Sequence, residues 1–426
     1  MAIQWLRRRI TANMLWEFPE LGIVVLGVFV VWVGLCSVWP ILTLYMQAQG
    51  SSLADISVTT AAAMAASFLF QVPMGWASDR FGRKPLLLGG LALVGTISCL
   101  YLLVHSSLGF AILRFVEGIG GAAMMPAARA YLMDTIPPAR RGQAFGLLGA
   151  AFNGGILLGP AIGGLLGGLT GMTGPFWLGA ISSLIAFTFL ALKVREHRGP
   201  HPHTEPDARE AAGLVAARVQ WRAILPVFFS TIGWGFVSGF FSVVWNIWIH
   251  DLGGNLDIIG LSYTLFALPL IFVGPWAGRL ADRRSRVLMI LLPSLVAAAI
   301  YYAYGFLRDL PVILILGILE GAMIGILAPA SDSYMADVLP PALRGRLQGL
   351  VSTTNTGAGF VGALICGPLY ALGPFYLFML LGSIHVVCAV VASALMLPTE
   401  RRLRGPAPAA PGVRPAPVLD LPGQTG

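Results

Sequence analysis

The chain has 426 residues, 57% hydrophobic and 11% charged, with a net charge of +8, and its mean hydropathy is +0.79. That balance excludes a soluble globular protein and predicts a polytopic membrane protein. The basic excess does not point to nucleic acid, because the cations are dispersed between apolar runs instead of gathered on one solvent-facing surface; the partner it implies is the lipid bilayer.

Runs long enough to cross about 30 Å of hydrocarbon at 1.5 Å per residue are predicted at 21–46, 56–78, 85–104, 108–135, 143–168 and 175–193. Six more follow at 222–249, 258–281, 286–306, 310–338, 346–370 and 374–397. The predicted class is an all-α polytopic membrane protein with 12 transmembrane helices in two six-helix bundles, residues 1–193 and 222–398. Arg7-Arg8-Arg9 precedes an apolar run long enough to span, which reads as a first span and not a cleavable leader. Apart from Arg114, Arg129 and Arg308, every Lys and Arg falls in the termini or in alternate connections. The positive-inside rule therefore places both termini in the cytosol, at the plasma membrane, or the inner membrane of a Gram-negative cell.

Residues 194–221 read as a charged cytosolic linker and 399–426 as a disordered, Pro/Ala-rich cytosolic tail. His201 and His203 lie in a Pro-rich polar stretch and are read as solvated. Cys36, Cys99, Cys366 and Cys388 sit inside apolar runs without metal-ligand spacing and are read as packing residues. No cofactor or metal is expected.

The second and third spans are joined by Gly75-Trp-Ala-Ser-Asp79-Arg80-Phe-Gly82-Arg83-Lys84. The pattern recurs at an offset of 203 residues: Gly278, Asp282, Arg283 and Arg286 answer Gly75, Asp79, Arg80 and Arg83. The same offset relates Glu117-Gly118 to Glu320-Gly321, Pro126 to Pro329, Tyr131 to Tyr334, Asp134 to Asp337 and Arg141-Gly142 to Arg344-Gly345. A fixed register over so many positions marks an internal duplication. Glycine allows a tight turn and cations prefer the cytosolic headgroups, so the repeated segment reads as a charged latch, with Asp134 facing Arg80 or Arg83.

The first copy resembles the cytosolic loop signature of the major facilitator superfamily, G-x-x-x-D-R-x-G-R-K; the second has Ser285 in place of Gly, which predicts a looser turn. Arg114-Phe-Val-Glu117-Gly118 resembles the helix-4 motif R-x-x-Q-G, with Glu117 in place of Gln. Gly155-Ile-Leu-Leu-Gly159-Pro160-Ala-Ile-Gly163-Gly164 is similar to the helix-5 signature of the drug:proton antiporter branch. Small residues every fourth position permit close helix contact and Pro160 bends the helix. The predicted eleventh span offers only Gly357-Ala-Gly359 and Gly367-Pro368, so the hinge-like segment is expected in the first half alone. The resemblance implies two pseudo-symmetric bundles around a central cavity and alternating access by rocking; a monomer is expected.

Ions inside a bilayer are costly unless paired or wetted. Arg114 and Glu117, three residues apart on one helical face, can neutralise each other or line an aqueous cavity. Glu320 faces Gly317 where Glu117 has Arg114. Burial disfavours an unpaired carboxylate, so Glu320, with Glu117, is a candidate proton carrier. The candidate substrate cavity comprises Arg114, Glu117, Asn153, Trp245, Asn246, Glu320 and Asn355. Trp39-Pro40, Trp248, Thr353 and Thr354 are softer candidates, and His385 reads as a packed helix residue. Arg129 and Asp332, also 203 apart and opposite in charge, are expected to form an interdomain gate.

The reading is a secondary active transporter exchanging protons for hydrophobic or amphipathic small molecules, with an importer or lipid flippase of the same fold as the alternative. No H-E-x-x-H, S-x-x-K or G-x-x-x-x-G-K-[ST] pattern occurs, so neither an enzyme nor nucleotide energisation is expected.

Overall fold

The computed structural model describes residues 14–196, 221–281, 284–338 and 344–404. Twelve helices among them are long and apolar enough to cross a membrane. The first six are α1 (Pro19–Ala48), α2 (Leu53–Phe81), α3 (Arg83–Leu100), α4 (Ser107–Thr135), α5 (Arg141–Thr170) and α6 (Gly174–Lys193). The second six are α7 (Trp221–Val243, resuming as Trp245–Asp251), α8 (Leu256–Ala281), α9 (Arg286–Phe306), α10 (Leu310–Val338), α11 (Arg344–Leu372) and α12 (Pro374–Arg404). Residues 399–404, expected in a disordered tail, therefore continue α12. The chain from 405 onward, most of the linker, and Asp282 and Arg283 of the second latch lie outside the described residues.

The duplication is visible where helices begin. Ser52 opens α2 with a capping box: its Oγ accepts from the Asp55 N–H at 3.2 Å, while Asp55 Oδ2 accepts from the Ser52 N–H at 3.0 Å. Asn255, 203 residues on, caps α8 by accepting from the Ile258 N–H at 3.0 Å. Ser106 and Asp309, again 203 apart, cap α4 and α10 at 3.2 and 3.1 Å. Gly50 and Gly253 turn the chain after α1 and α7 at φ of +88° and +89°, a conformation that strains any side chain with a Cβ.

Three apolar cores hold the bundles. One crosses both halves and includes Ile41, Tyr45 and Phe110 of the first with Phe240, Trp248 and Phe378 of the second. The others stay within one half each, around Val28, Leu91 and Leu148 and around Ile224, Ile290 and Tyr334. The shared core lies toward the face opposite the chain ends, so the halves are joined there and part toward the terminal face.

Glycines mark where they join. A Cβ on Gly155, Gly159 or Gly163 would lie 2.4 Å from Trp32 Cβ, 2.8 Å from Val33 O or 2.0 Å from Ser37 O, all on α1. Gly164 faces the other half instead, with Leu256 O at 2.4 Å and Gly260 Cα at 2.9 Å from its would-be Cβ. On α11, a Cβ on Gly367 would meet Leu53 O of α2 at 2.4 Å, and the Gly367 N–H donates to Ser57 Oγ at 3.0 Å. Gly164 and Gly367 are 203 apart, as are Ser57 and Gly260, so the α5–α8 and α2–α11 seals are one contact made twice. Gly362, the mate of Gly159, likewise approaches Phe236 O, the mate of Val33 O, at 2.6 Å. The close-packing device is therefore not confined to the first half; α11 dispenses with the full motif because Ala358, Ala363 and Cys366 are small enough at the remaining positions. At the terminal face Gly142, Gly146 and Gly149 of α5 and Gly349 of α11 have nothing within 4 Å of a would-be Cβ.

Val at position 164 would press on backbone that cannot rotate away, an overpacking cost of about 1–3 kcal/mol. Gly164→Val should therefore lower the thermal unfolding midpoint of the purified protein, whereas Gly146→Val, in open space, should leave it near wild type. Equal midpoints would mean that the seal does not hold the halves together.

Candidate functional site

A cavity of about 520 Å³ lies between the halves. The first half contributes Trp32, Trp39 and Thr43 of α1, Thr60, Met64 and Ser67 of α2, Arg114 of α4 and Phe152 of α5. The second contributes Ser238, Phe241 and Ser242 of α7, Tyr263 of α8, and Asn355 and Thr356 of α11. Trp32 meets Phe152 edge-on at 4.5 Å and Trp39 at 6.3 Å between ring centroids. The wall is thus aromatic and hydroxyl-rich, and Arg114 is its one charged side chain among the described residues.

Of the predicted cavity residues, Arg114 and Asn355 line the wall. Asn246 is buried beyond it and ties the halves together: its Nδ2 donates to Trp39 O at 3.0 Å and to Thr43 Oγ1 at 3.2 Å, while Tyr263 Oη donates to its Oδ1 at 2.8 Å. Thr43 and Asn246 are themselves 203 apart, so symmetry-equivalent residues touch across the pseudo-two-fold axis. Trp245 is also buried, its Nε1 donating to Ser262 Oγ at 2.9 Å. Asn153 is exposed and off the wall. His385 packs edge-on between Trp234 and Tyr301.

Glu117 and Glu320 are set back from the wall, each in a polar nest. Glu117 accepts from Arg114 Nη1 at 2.9 Å and from the Tyr101 hydroxyl. Glu320 is 0% exposed and accepts from Tyr301 at 2.8 Å and Tyr304 at 3.3 Å. Tyr304 is the mate of Tyr101, so the phenol–carboxylate contact is duplicated. Tyr301, the mate of Ser98, adds the second donor in the half that lacks the arginine. The hydroxyls satisfy the carboxylate oxygens without bringing in a counter-charge.

The latch assembles around Arg83, whose side chain is 11% exposed. It pairs with Asp79 at the end of α2 and with Asp134 at the end of α4, the latter at 3.1 Å, and reaches Ser78 Oγ at 3.2 Å. Gly82 has φ of +106° and lets the chain reverse between α2 and α3. Arg80 is exposed, 5.7 Å from the Phe81 ring centroid, and Gly75 has open space around it; Arg83, not Arg80, is the partner of Asp134. Glu196, just after α6, accepts from the Arg83 and Lys84 N–H groups at 2.9 and 2.8 Å, closing the orphan donors at the start of α3. The second copy repeats this with Arg286 paired to Asp337 and Glu400 accepting from the Arg286 N–H at 2.7 Å. Ser285 adopts φ of −61°, caps α9 through Leu288 N–H at 3.3 Å and donates to Glu400 at 2.8 Å, so no glycine is required.

The sequence profile of the Major Facilitator Superfamily matches residues 24–244 and again 227–421. The chain belongs to the major facilitator superfamily. It is 28% identical over 314 residues to the tetracycline resistance protein, class B, of Escherichia coli, across 71% of this chain and 75% of that protein. It is 26% identical over 386 residues to the multidrug resistance protein MdtG of Proteus mirabilis (strain HI4320), across 85% and 93%. Among solved structures, a bacterial homolog of the human lysosomal transporter Spinster, inward-facing and unoccupied, superposes with a TM-score of 0.73 at 15% identity over 92% of this chain and 98% of that one. A D-xylose–proton symporter gives 0.72 at 17% over 88% and 97%. These structures share the fold; the chain is a membrane transporter and not an enzyme.

Within this superfamily fold, Arg129 and Asp332 are both exposed and do not pair with each other. Tyr101, Tyr301, Tyr304, Glu196 and Glu400 around the charged groups, and Trp32, Phe152, Phe241 and Tyr263 on the wall, are among the site residues that sequence reasoning missed. Only the Tyr101–Tyr304 offset carried a signal for them.

The two partners of Arg83 differ in burial, 54% exposed for Asp79 and 19% for Asp134. An exposed pair contributes about 0–1 kcal/mol, whereas a mostly buried partner is less screened, and its loss takes away more of what holds the guanidinium. Asp134→Asn should therefore lower the unfolding midpoint more than Asp79→Asn, as read by thermal denaturation in detergent; the reverse order would place the latch on Asp79.

Proposed function

We propose that the chain is a proton-coupled exporter of hydrophobic or amphipathic small molecules, working by alternating access as a monomer. The observation that carries this reading is an aromatic cavity between two half-transporters, sealed at one face, open at the other, with a protected carboxylate beside it in each half. The cation census makes the terminal face cytosolic, so the open cavity faces the cytosol, and the latches around Arg83 and Arg286 bias one access state. The tetracycline and multidrug resistance proteins among the relatives agree with export. Proteoliposome uptake of a chemically diverse panel, with and without a pH gradient, tests it: uptake that ignores the gradient would overturn coupling.

Protons entering from outside would be carried by Glu320 and Glu117. The membrane potential supplies about 2.3 kcal/mol per charge per 100 mV, enough to drive tens-fold accumulation. Glu320 is the stronger candidate, since its hydrogen-bond partners are phenols, while Glu117 is paired with Arg114. Glu320→Gln should abolish substrate-driven proton movement, measured with a pH-sensitive dye in proteoliposomes, and Glu117→Gln should reduce it less. Normal proton movement in the Glu320 variant would transfer the role to Glu117.

Arg129 and Asp332 are proposed to meet when the cytosolic face closes, as Thr43 and Asn246 meet at the opposite face. Their separation here fits a cytosol-open state. Arg129→Asp and Asp332→Arg should each impair transport and the double exchange should restore it; a double variant as impaired as the singles would leave the two residues independent.

A further inference from the structure

We infer that Arg114 makes the central cavity an oxyanion-binding site, so that its substrates are aromatic or amphipathic molecules carrying a carboxylate or similar acidic oxygen group, and not cations. The inference rests on the transporter cavity described above and narrows its substrate class.

Charge on the cavity wall carries it. A ligand cation in a low-dielectric cavity needs a facing anion, and among the described residues no carboxylate lines this one. Glu320 is wholly buried behind Tyr301 and Tyr304. Glu117 is already engaged by Arg114 and Tyr101, the two groups that face it. The one wall charge is a guanidinium, which offers five N–H donors in a planar fork suited to oxyanions. Nη1 serves Glu117 and Nε is closed off from the cavity without a partner, while Nη2, which is not among the buried unpartnered atoms, is left on the wall side as a donor that an acceptor on a ligand can meet.

The surroundings fit the rest of such a molecule. Trp32, Trp39 and Phe152 supply aromatic faces on the same half as Arg114, against which a flat apolar frame can stack. Position 317, the mate of Arg114, is glycine, so the second half offers no competing cation at the equivalent place. The arrangement accepts one acidic group in one orientation.

The test is equilibrium binding of three ligands on one frame, 1-naphthylacetate, 1-naphthalenemethanol and 1-naphthylmethylammonium, to the full chain in nanodiscs, followed by quenching of tryptophan fluorescence. The acetate should bind about tenfold more tightly than the ammonium compound, one decade in Kd. Arg114→Lys should retain part of that preference. Arg114→Gln combined with Glu117→Gln, which removes both charges and strands neither, should bring the ratio of the two dissociation constants close to one. Tighter binding of the ammonium compound, no detectable binding of the acetate, or a preference that survives the double substitution would overturn the inference. No pH gradient enters the measurement, so failure of proton coupling and failure of the anion site are read separately.

Discussion

The approach of backbone to backbone at Gly164–Gly260 and at Gly367–Ser57 fixes where the two halves are one body. In lipid, apolar side chains gain nothing by meeting each other instead of acyl chains, so helix association depends on dispersion contacts that only small residues bring close enough, and on hydrogen bonds across the interface. Both are found at one face of this transporter: the two glycine seals and the Gly367 N–H to Ser57 bond, with Asn246 bridging to Trp39 and Thr43 on the axis. At the other face Gly142, Gly146, Gly149 and Gly349 have nothing within 4 Å of a would-be Cβ, and each half keeps its own core. The cavity is the space left when two rigid bundles are clamped at one end.

Inside that frame the charged groups are handled in two ways. Near the terminal face, arginines and acids are paired outright, Arg83 with Asp79 and Asp134 and Arg286 with Asp337, and backbone N–H groups at the starts of α3 and α9 are closed by Glu196 and Glu400. Deep in the membrane Glu320 is held by two phenols, and Glu117 by one phenol and Arg114. Phenols supply hydrogen bonds to a carboxylate without a counter-charge, whereas a salt bridge supplies both.

Much of this was legible in the sequence because the signals repeat. Hydropathy delimited the spans, and the 203-residue offset tied Glu117 to Glu320 and Asp134 to Asp337 before any coordinates. The cavity was less legible: Trp245 and Asn246 look like pocket residues in a list of polar and aromatic side chains, yet they serve packing and an interhalf bridge, while Phe152 and Phe241 on the wall are indistinguishable in sequence from lipid-facing phenylalanines. The equivalence of α11 to α5 was hidden because the physical requirement is a small residue facing the partner backbone, which Ala358 and Cys366 meet as well as glycine does. Glu196 and Glu400 were invisible because capping of a distant helix start depends on where the chain returns in space.

The contact between Thr43 and Asn246 has a consequence for how a duplicated protein can specialise. In two identical copies, an axis position can only meet itself, so each side chain must face its own kind and charge must face like charge. Joining the copies in one chain frees the two sides to differ, and here a hydroxyl on one side receives an amide from the other. The same freedom lets one buried carboxylate keep an arginine neighbour while its twin lives among tyrosines. A symmetric scaffold can thus move as a pair of equal halves while the chemistry within it is assigned to each half separately.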